Sequence, residues 1–369
     1  MQVLILSCNT GEGHNSAAKA IKDRFDFHGH DAVIKDALCF WSPEISKVIS
    51  KSHIFIYRRL PKLFGIGYRF EENHPPKEGE ESLKYELVIR GSESLYEYLK
   101  TVGYDAIICT HVFSAMMVTE IKRRYHYNVK SYFVATDYTC SPGVAESSLD
   151  TYFIPHPALT DEFVSCGVER EKIKPFGIPV RQEFYNQISA VKAKKNLGLS
   201  EEKDIILLAC GSMGCGPIKE ITDYFAENIE KSAMLVVIAG SNRKLYKSLG
   251  KYRECENVKI LGYTTRMSIY MDAATVILTK PGGLSSTEAA VKGLPMIFIN
   301  AVPGCETRNI EFFEKNGFAC KRDSTPALLK EVEAYLNNPE KRQEKRKQLK
   351  KDFSGNAAEK IYEYVIKCD

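Results

Sequence analysis

The sequence predicts an α/β protein built from two doubly wound domains. Two observations carry the prediction. Short, nearly continuous apolar runs alternate with helical patterns, as buried parallel strands alternate with crossover helices. The alternation then restarts half-way along the chain, and strands again run into glycine turns. A chain of 369 residues is long enough for two such domains, each with its own core.

In the first half, QVLILSC reads as the opening strand. Ala17, Ile21 and Phe25 then recur at helical spacing, and Gly29 suits the helix stop. HDAVIKDALC gives a second strand, YDAIICTH a third after a long insertion, and VKSYFVATD and LDTYFIPH two more. The character changes at IKPFGIPVRQEFYNQISAVKAKKNLGLSEEKD, where Gly177, Pro179 and a charged run read as a connection. This places one domain at 1–180, a linker at 181–203 and a second domain at 204–369, with the extreme carboxy-terminal helix able to pack back on the first. The second set of strands is DIILLACGSMGCGP, AMLVVIAGSN, NVKILGY, ATVILTKPGG and LPMIFINAVPG. Sheets of this kind bind ligands beyond the carboxyl ends of their strands, so a cleft between the two domains is the expected site. The lysine-rich stretch 340–352 reads as a solvated helix face.

Composition removes several classes of function. An apolar content of 44% with 27% charged residues describes a folded chain. A net charge of +4 is too small to argue for nucleic acid. The eleven cysteines fall singly, without CxxC or zinc spacing, and read as free thiols of a reducing compartment. No basic-then-apolar leader opens the sequence, and no run reaches the roughly 18 apolar residues of a membrane span. A cytoplasmic protein able to touch a membrane from that side is expected.

The turn Gly11-Glu12-Gly13-His14-Asn15-Ser16 resembles a dinucleotide fingerprint but has Ser16 at its third glycine, while Asp36 ends the second strand where a ribose-binding acid would sit. A nicotinamide or flavin enzyme, a bare tight turn, or a histidine set for binding or proton transfer are all compatible with it. The second half says more. In LTKPGGLSSTEAAVKGLPMIF, Pro281 and two glycines lead into a helix beginning near Leu284 to Ser286, whose free N–H groups favour an anion such as a pyrophosphate. Glu288, one turn in, is placed to accept hydrogen bonds from ribose hydroxyls. Gly211, Gly214 and Gly216 form another loop after the first strand of that domain. No DxD pair suggests a metal-bridged diphosphate, so no metal is expected.

The stretches GEGHNSAA, ATDY (135–138), GIPV (177–180), GSMGCG (from Gly211) and KPGGLSSTEA (from Lys280) together resemble the monogalactosyldiacylglycerol synthase and processive diacylglycerol glucosyltransferase family. Its members are GT-B enzymes related to the lipid II N-acetylglucosaminyltransferase. The resemblance implies two Rossmann-like domains facing across a cleft, and inverting transfer of a hexose from a UDP-sugar to a lipid hydroxyl without metal or other cofactor. UDP-glucose or UDP-galactose would be the donor, and diacylglycerol the acceptor. By position, Glu288 would hold the ribose and the backbone around Gly262 and Tyr263 would read the uracil. Gly282, Gly283 and the amides of Leu284 and Ser285 would hold the diphosphate, with Gly211, Ser212 and Gly214 nearby. The donor-sugar loop corresponds to VPGCETRN, with Glu306 and Asn309 in matching places and Cys305 where the family commonly has glutamine. The loop after ATDYT, long and bearing His and Trp in many members, is reduced to CSPGVAESS.

An inverting transfer needs a base for the acceptor hydroxyl and a stabilised leaving diphosphate. An imidazole titrates near neutrality and suits the first task. The resemblance makes His14 a base candidate or an acceptor-site residue, against the plain alternative of a helix cap. Asp137, after a strand, orients His14, serves as the base itself, or is an ordinary turn aspartate. Gly13 and His111 are candidates for the acceptor side, and His156 reads as structural. The insertion 41–70 sets Lys47, Lys51, Arg58, Arg59, Lys62 and Arg69, interleaved with Trp41 and other aromatics, against the acid Glu44. Such a segment suits an anionic membrane surface, or else a helical pair covering the sheet. With the resemblance it predicts a peripheral protein on the inner face of the cell membrane. The rival reading is a nucleotide-sugar epimerase or transferase of the same fold with a soluble substrate.

Overall fold

The computed structural model describes residues 1–74, 81–214 and 216–368, with the side chains of residues 50, 53, 54, 57–59 and 61 outside the description. Two compact units result. The first comprises Met1–Arg181, Val302–Cys305 and Gly355–Asp369, and the second Gln182–Ala301 and Glu306–Ser354.

The first unit holds six parallel strands: β1 (Gln2–Ser7), β2 (Asp31–Asp36), β3 (Ala106–Cys109), β4 (Lys130–Val134), β5 (Thr151–Phe153) and β6 (Ile173–Lys174). Their order is β2-β1-β3-β4-β5-β6. Strand β1 is buried at Val3, Leu4, Ile5 and Leu6 because helices cover both sheet faces, which explains its unbroken apolar run. Helix α1 (Glu12–Phe27) lays Ala18, Ile21 and Phe25 into the core. The chain turns at Gly29, whose φ of 79° favours glycine.

The second unit also holds six strands: β7 (Asp204–Ala209), β8 (Ala233–Ile238), β9 (Val258–Leu261), β10 (Val276–Thr279), β11 (Met296–Phe298) and β12 (Ala319–Lys321). They run parallel in the order β12-β11-β10-β7-β8-β9. In each sheet the order reverses beside the first strand, between β1 and β3 and between β7 and β10. The loops leaving two such strands diverge and open a crevice at their carboxyl ends.

Two expectations need correction. Strands β6 and β12 lie outside the set read from the sequence. Residues 182–203, expected as a linker, belong to the second unit. Helix Ala190–Leu197 buries Ala193 and Leu197, and Lys292 Nζ donates both to the Asn186 carbonyl at 3.0 Å and to Asp272 at 2.8 Å. That ion pair is almost fully enclosed. Burial raises the Asp272 carboxyl's pKa, and the Lys292 ammonium opposes the shift. Of the charged run, Lys192 and Lys195 lie on the outer face of a docked helix, while buried Lys194 donates to the Glu201 carbonyl. Beyond Ser354 the chain rejoins the first unit, where helix Ala357–Lys367 buries Ile361 and Val365 in the same cluster as Ile21 and Phe25. Arg24 and His28 both reach Glu359, and Tyr362 stacks on His28.

Candidate active site

In the first unit the crevice beside β1 gathers the loop after β1 and the loop after β3. Helix α1 starts at Gly11, whose side chain cannot cap it, so N–H groups at this helix start are left without a side-chain cap. His14 lies in its first turn but does not cap it. Its Nδ1 lies 2.9 Å from the Thr110 carbonyl oxygen and 3.0 Å from Thr136 Oγ1. A carbonyl only accepts, so Nδ1 carries the proton and the lone pair of the neutral ring sits on Nε2. The His111 ring stands edge-on to His14, with centroids 4.6 Å apart. His111 is itself the cap of helix Val112–Tyr125, its Nδ1 accepting from Phe113 N at 3.1 Å. His156 likewise caps a short turn, accepting from Ala158 N.

Asp137 follows Thr136 directly and is half-buried. The Thr110 carbonyl and Thr136 Oγ1 both meet Nδ1 of His14. Gly13 lies one residue before His14 in the same turn. Asp36, the ribose candidate of a dinucleotide reading, is engaged in local structure. It caps the turn Ala37–Phe40 through Leu38 N and accepts from Asn9 Nδ2 and Ser46 Oγ. Asn9 Oδ1 in turn accepts from Asn15 Nδ2, and Asn15 Oδ1 accepts from Ser7 Oγ. Through Asn9 the carboxylate holds the loop that leads into α1 and His14.

Insertion residues form α2 (Pro43–Arg59) and α3 (Pro61–Asn73), separated at Leu60 because Pro61 has no N–H to continue the first helix. Val48, Phe55, Leu60, Leu63, Ile66 and Phe70 are 44 to 66% exposed, half of the large apolar side chains described as exposed. Lys47, Lys51, Lys62 and Arg69 are exposed beside them. Arg58 and Arg59 are in α2, with side chains outside the described ones. Trp41 is half-buried under the Arg90 guanidinium, not displayed with the others. Among the described residues, no helix is long and apolar enough to cross a membrane.

Gly65 and Gly304 serve close packing of α3 on 302–305. A Cβ at Gly65 would fall 2.3 Å from Pro303 Cβ, and one at Gly304, where φ is 117°, 3.1 Å from the Tyr68 ring. Cys305 Sγ lies 3.9 Å from Ser141 Oγ. Burial, with Cys305 next in effect, pushes the Tyr68 hydroxyl far above its ordinary range, so it stays a neutral donor.

In the second unit the crevice lies between the loops after β7 and β10. Helix Gly283–Lys292 begins at Gly282 with no side-chain cap and no acid in its first turn. Its first amides, on Gly283, Leu284 and Ser285, meet no capping side chain. Asn309, fully buried, donates to the Pro281 carbonyl at 2.8 Å and fixes the turn. Gly211 and Gly214 have φ of 72° and 55°, and a Cβ at Gly214 would lie 2.1 Å from the Ala239 carbonyl oxygen. Ser241 N donates to Ser212 O at 2.7 Å. Glycine at 214 thus follows from backbone packing alone. Glu288 is half-buried, while Tyr263 is exposed beside Gly262.

A pair absent from the sequence reading appears here. Lys280, the residue after β10, donates to Glu306 Oε1 at 2.5 Å with both side chains mostly enclosed. A cation before a PGG turn was visible in the sequence, but nothing local announced its partner. No cluster of three or more metal-ligating side chains occurs among the described residues.

The comparisons with known proteins bear on these features. Residues 14–180 match the family model for monogalactosyldiacylglycerol (MGDG) synthase, and residues 184–352 that for glycosyl transferases group 1. Among solved structures, MurG of Acinetobacter baumannii superposes with a TM-score of 0.64 at 15% identity, covering 99% of each chain. Anabaena HepE, solved with UDP, gives 0.58 at 14% identity and 100% of each chain. The protein is therefore a glycosyltransferase of the GT-B fold. Within that class it is similar to the monogalactosyldiacylglycerol synthase and processive diacylglycerol glucosyltransferase family. Processive diacylglycerol beta-glucosyltransferases of Bacillus subtilis and Bacillus pumilus are 28% and 26% identical to it, over 99% of this chain and 95% and 94% of theirs.

Proposed function

We propose that this glycosyltransferase moves a hexose from UDP-glucose or UDP-galactose to the hydroxyl of diacylglycerol, with inversion and without a metal. The observation that carries the reading is the His14 tautomer: Thr110 and Thr136 hold Nδ1, and the basic lone pair rests on Nε2. In the reaction the acceptor oxygen bonds to the anomeric carbon as the bond from that carbon to the β-phosphate oxygen breaks. The hydroxyl proton passes to His14, and UDP leaves with the electron pair. Asp137 stands in the same strand-end segment as Thr136, where its charge favours the imidazolium that forms.

For the donor, the uncapped amides after Gly282 suit a diphosphate, and Glu288 suits the ribose. The names of the relatives support diacylglycerol as acceptor, and the solved Anabaena protein with UDP supports the nucleotide. Exposed apolar and basic residues of α2 and α3 support a peripheral site on the inner face of the cell membrane. A soluble-substrate epimerase would have no use for such a surface.

Radiolabelled UDP-glucose and UDP-galactose, supplied with diacylglycerol vesicles and EDTA, test the proposal. Label should move into a chloroform-extractable glycolipid. Label confined to water-soluble sugar or to an epimerised nucleotide would sink it.

A further inference from the structure

The donor reading leaves a charge unaccounted for. A helix end offers roughly half an elementary charge, whereas UDP carries a diphosphate and gains negative charge as the sugar departs. The Lys280–Glu306 pair lies at that point. A Cβ at Gly211 would be 3.3 Å from Lys280 Cε, and one at Gly282 would be 3.9 Å from Lys280 Nζ and 4.0 Å from Glu306 Oε1. The ammonium is therefore held over the turn that opens helix Gly283–Lys292, beside the glycine loop after β7. Both glycines leave open the space a side chain would take between the loops and this cation. Glu306 is itself in the first turn of helix Cys305–Lys315, where a carboxylate is favoured. It fixes the long lysine chain before any ligand arrives. In the same first turn of the donor helix, the fully buried Ser286 hydroxyl has no hydrogen-bond partner.

We infer that Lys280 is the fixed cation of the donor subsite, holding the β-phosphate of UDP and stabilising the leaving diphosphate, and that Glu306 is its positioning residue. The inference rests on the donor reading above. Charge flows onto the β-phosphate oxygen as its bond to the anomeric carbon breaks. The ammonium meets it through a charge-assisted hydrogen bond, with no proton transferred.

Calorimetry with UDP and UMP, alongside steady-state kinetics in vesicles, tests this. Lys280→Gln should weaken UDP by about 10- to 100-fold while leaving UMP within about three-fold. Its kcat should fall more than its KM rises, because the charge is greatest in the transition state. Lys280→Arg should recover most UDP affinity. The double change Lys280→Gln with Glu306→Gln leaves no unpaired buried carboxylate, and it should show the same selective loss of UDP. Parental UDP affinity in the glutamine variants, or equal losses for UDP and UMP, would overturn the inference while the donor site stands. Failure of the parent protein to bind UDP would instead remove the donor reading, and the inference with it.

Discussion

His14 and Thr110, 96 positions apart, are joined by a 2.9 Å hydrogen bond between the imidazole Nδ1 and a main-chain carbonyl oxygen. Because the acceptor is backbone, no side-chain substitution at 110 can remove it. The proton location on the ring is built into the sheet order that sets β1 beside β3.

From this it follows that His14→Ala should lower transfer by about 10²–10⁴-fold and leave UDP affinity within a few-fold. Thr136→Val, which keeps the carbonyl contact, should cost less than the alanine change at 14. Initial rates in mixed vesicles, with UDP titrations beside them, read both. Near-normal turnover by the His14 variant would move the base role to Asp137.

On the donor side, Glu288→Ala should weaken UDP by roughly 10- to 150-fold, the equivalent of a charge-assisted bond of about 1.5–3 kcal/mol. EDTA should leave binding unchanged. Calorimetry decides: an unaltered isotherm for the mutant, or binding abolished by the chelator, contradicts the placement. Cys305→Gln should spare UDP affinity and shift the preference between UDP-glucose and UDP-galactose.

Membrane attachment should depend on α2 and α3. Serine at Phe55, Leu63, Ile66 and Phe70 should release the protein from vesicles rich in anionic lipid. Serine at Arg58, Arg59 and Lys62 should weaken attachment most at low salt, each basic group contributing about 1 kcal/mol. Flotation gradients measure this, and equal recovery of variants and parent would assign the surface to a protein partner.

Stability should respond sharply to the enclosed pair. Lys292→Met strands the Asp272 carboxylate and should cost about 3–5 kcal/mol. Replacing both residues with apolar ones should restore much of the loss. Urea unfolding of the single and double variants checks the sign.

Strands β1, β3, β7 and β10 were legible because each carries a run of four or five buried residues. Strands β6 and β12 were not, since two or three residues carry too little pattern. Helix Ala190–Leu197 was hidden by its lysines: Lys192 and Lys195 are exposed, and their charge says nothing of Ala193, Lys194 and Leu197 beneath. At the site, His14 and the PGG turn stood out because each lies within one strand-to-helix junction. Thr110, Thr136 and the pairing of Glu306 with Lys280 did not, because these depend on contacts across 26 to 122 positions.

The return of helix Ala357–Lys367 to α1 reverses the expected order of maturation during synthesis. Residues 1–181 leave the ribosome first, yet Ile361 and Val365 arrive only after the whole second unit. At the usual pace of translation that delay is roughly 10–40 s. For that interval the face of α1 formed by Ala18, Ile21 and Phe25 lacks part of its cover, on the very helix that presents His14. The half that emerges first is the last to be finished, and until then it offers a greasy surface to any holdase waiting at the exit tunnel.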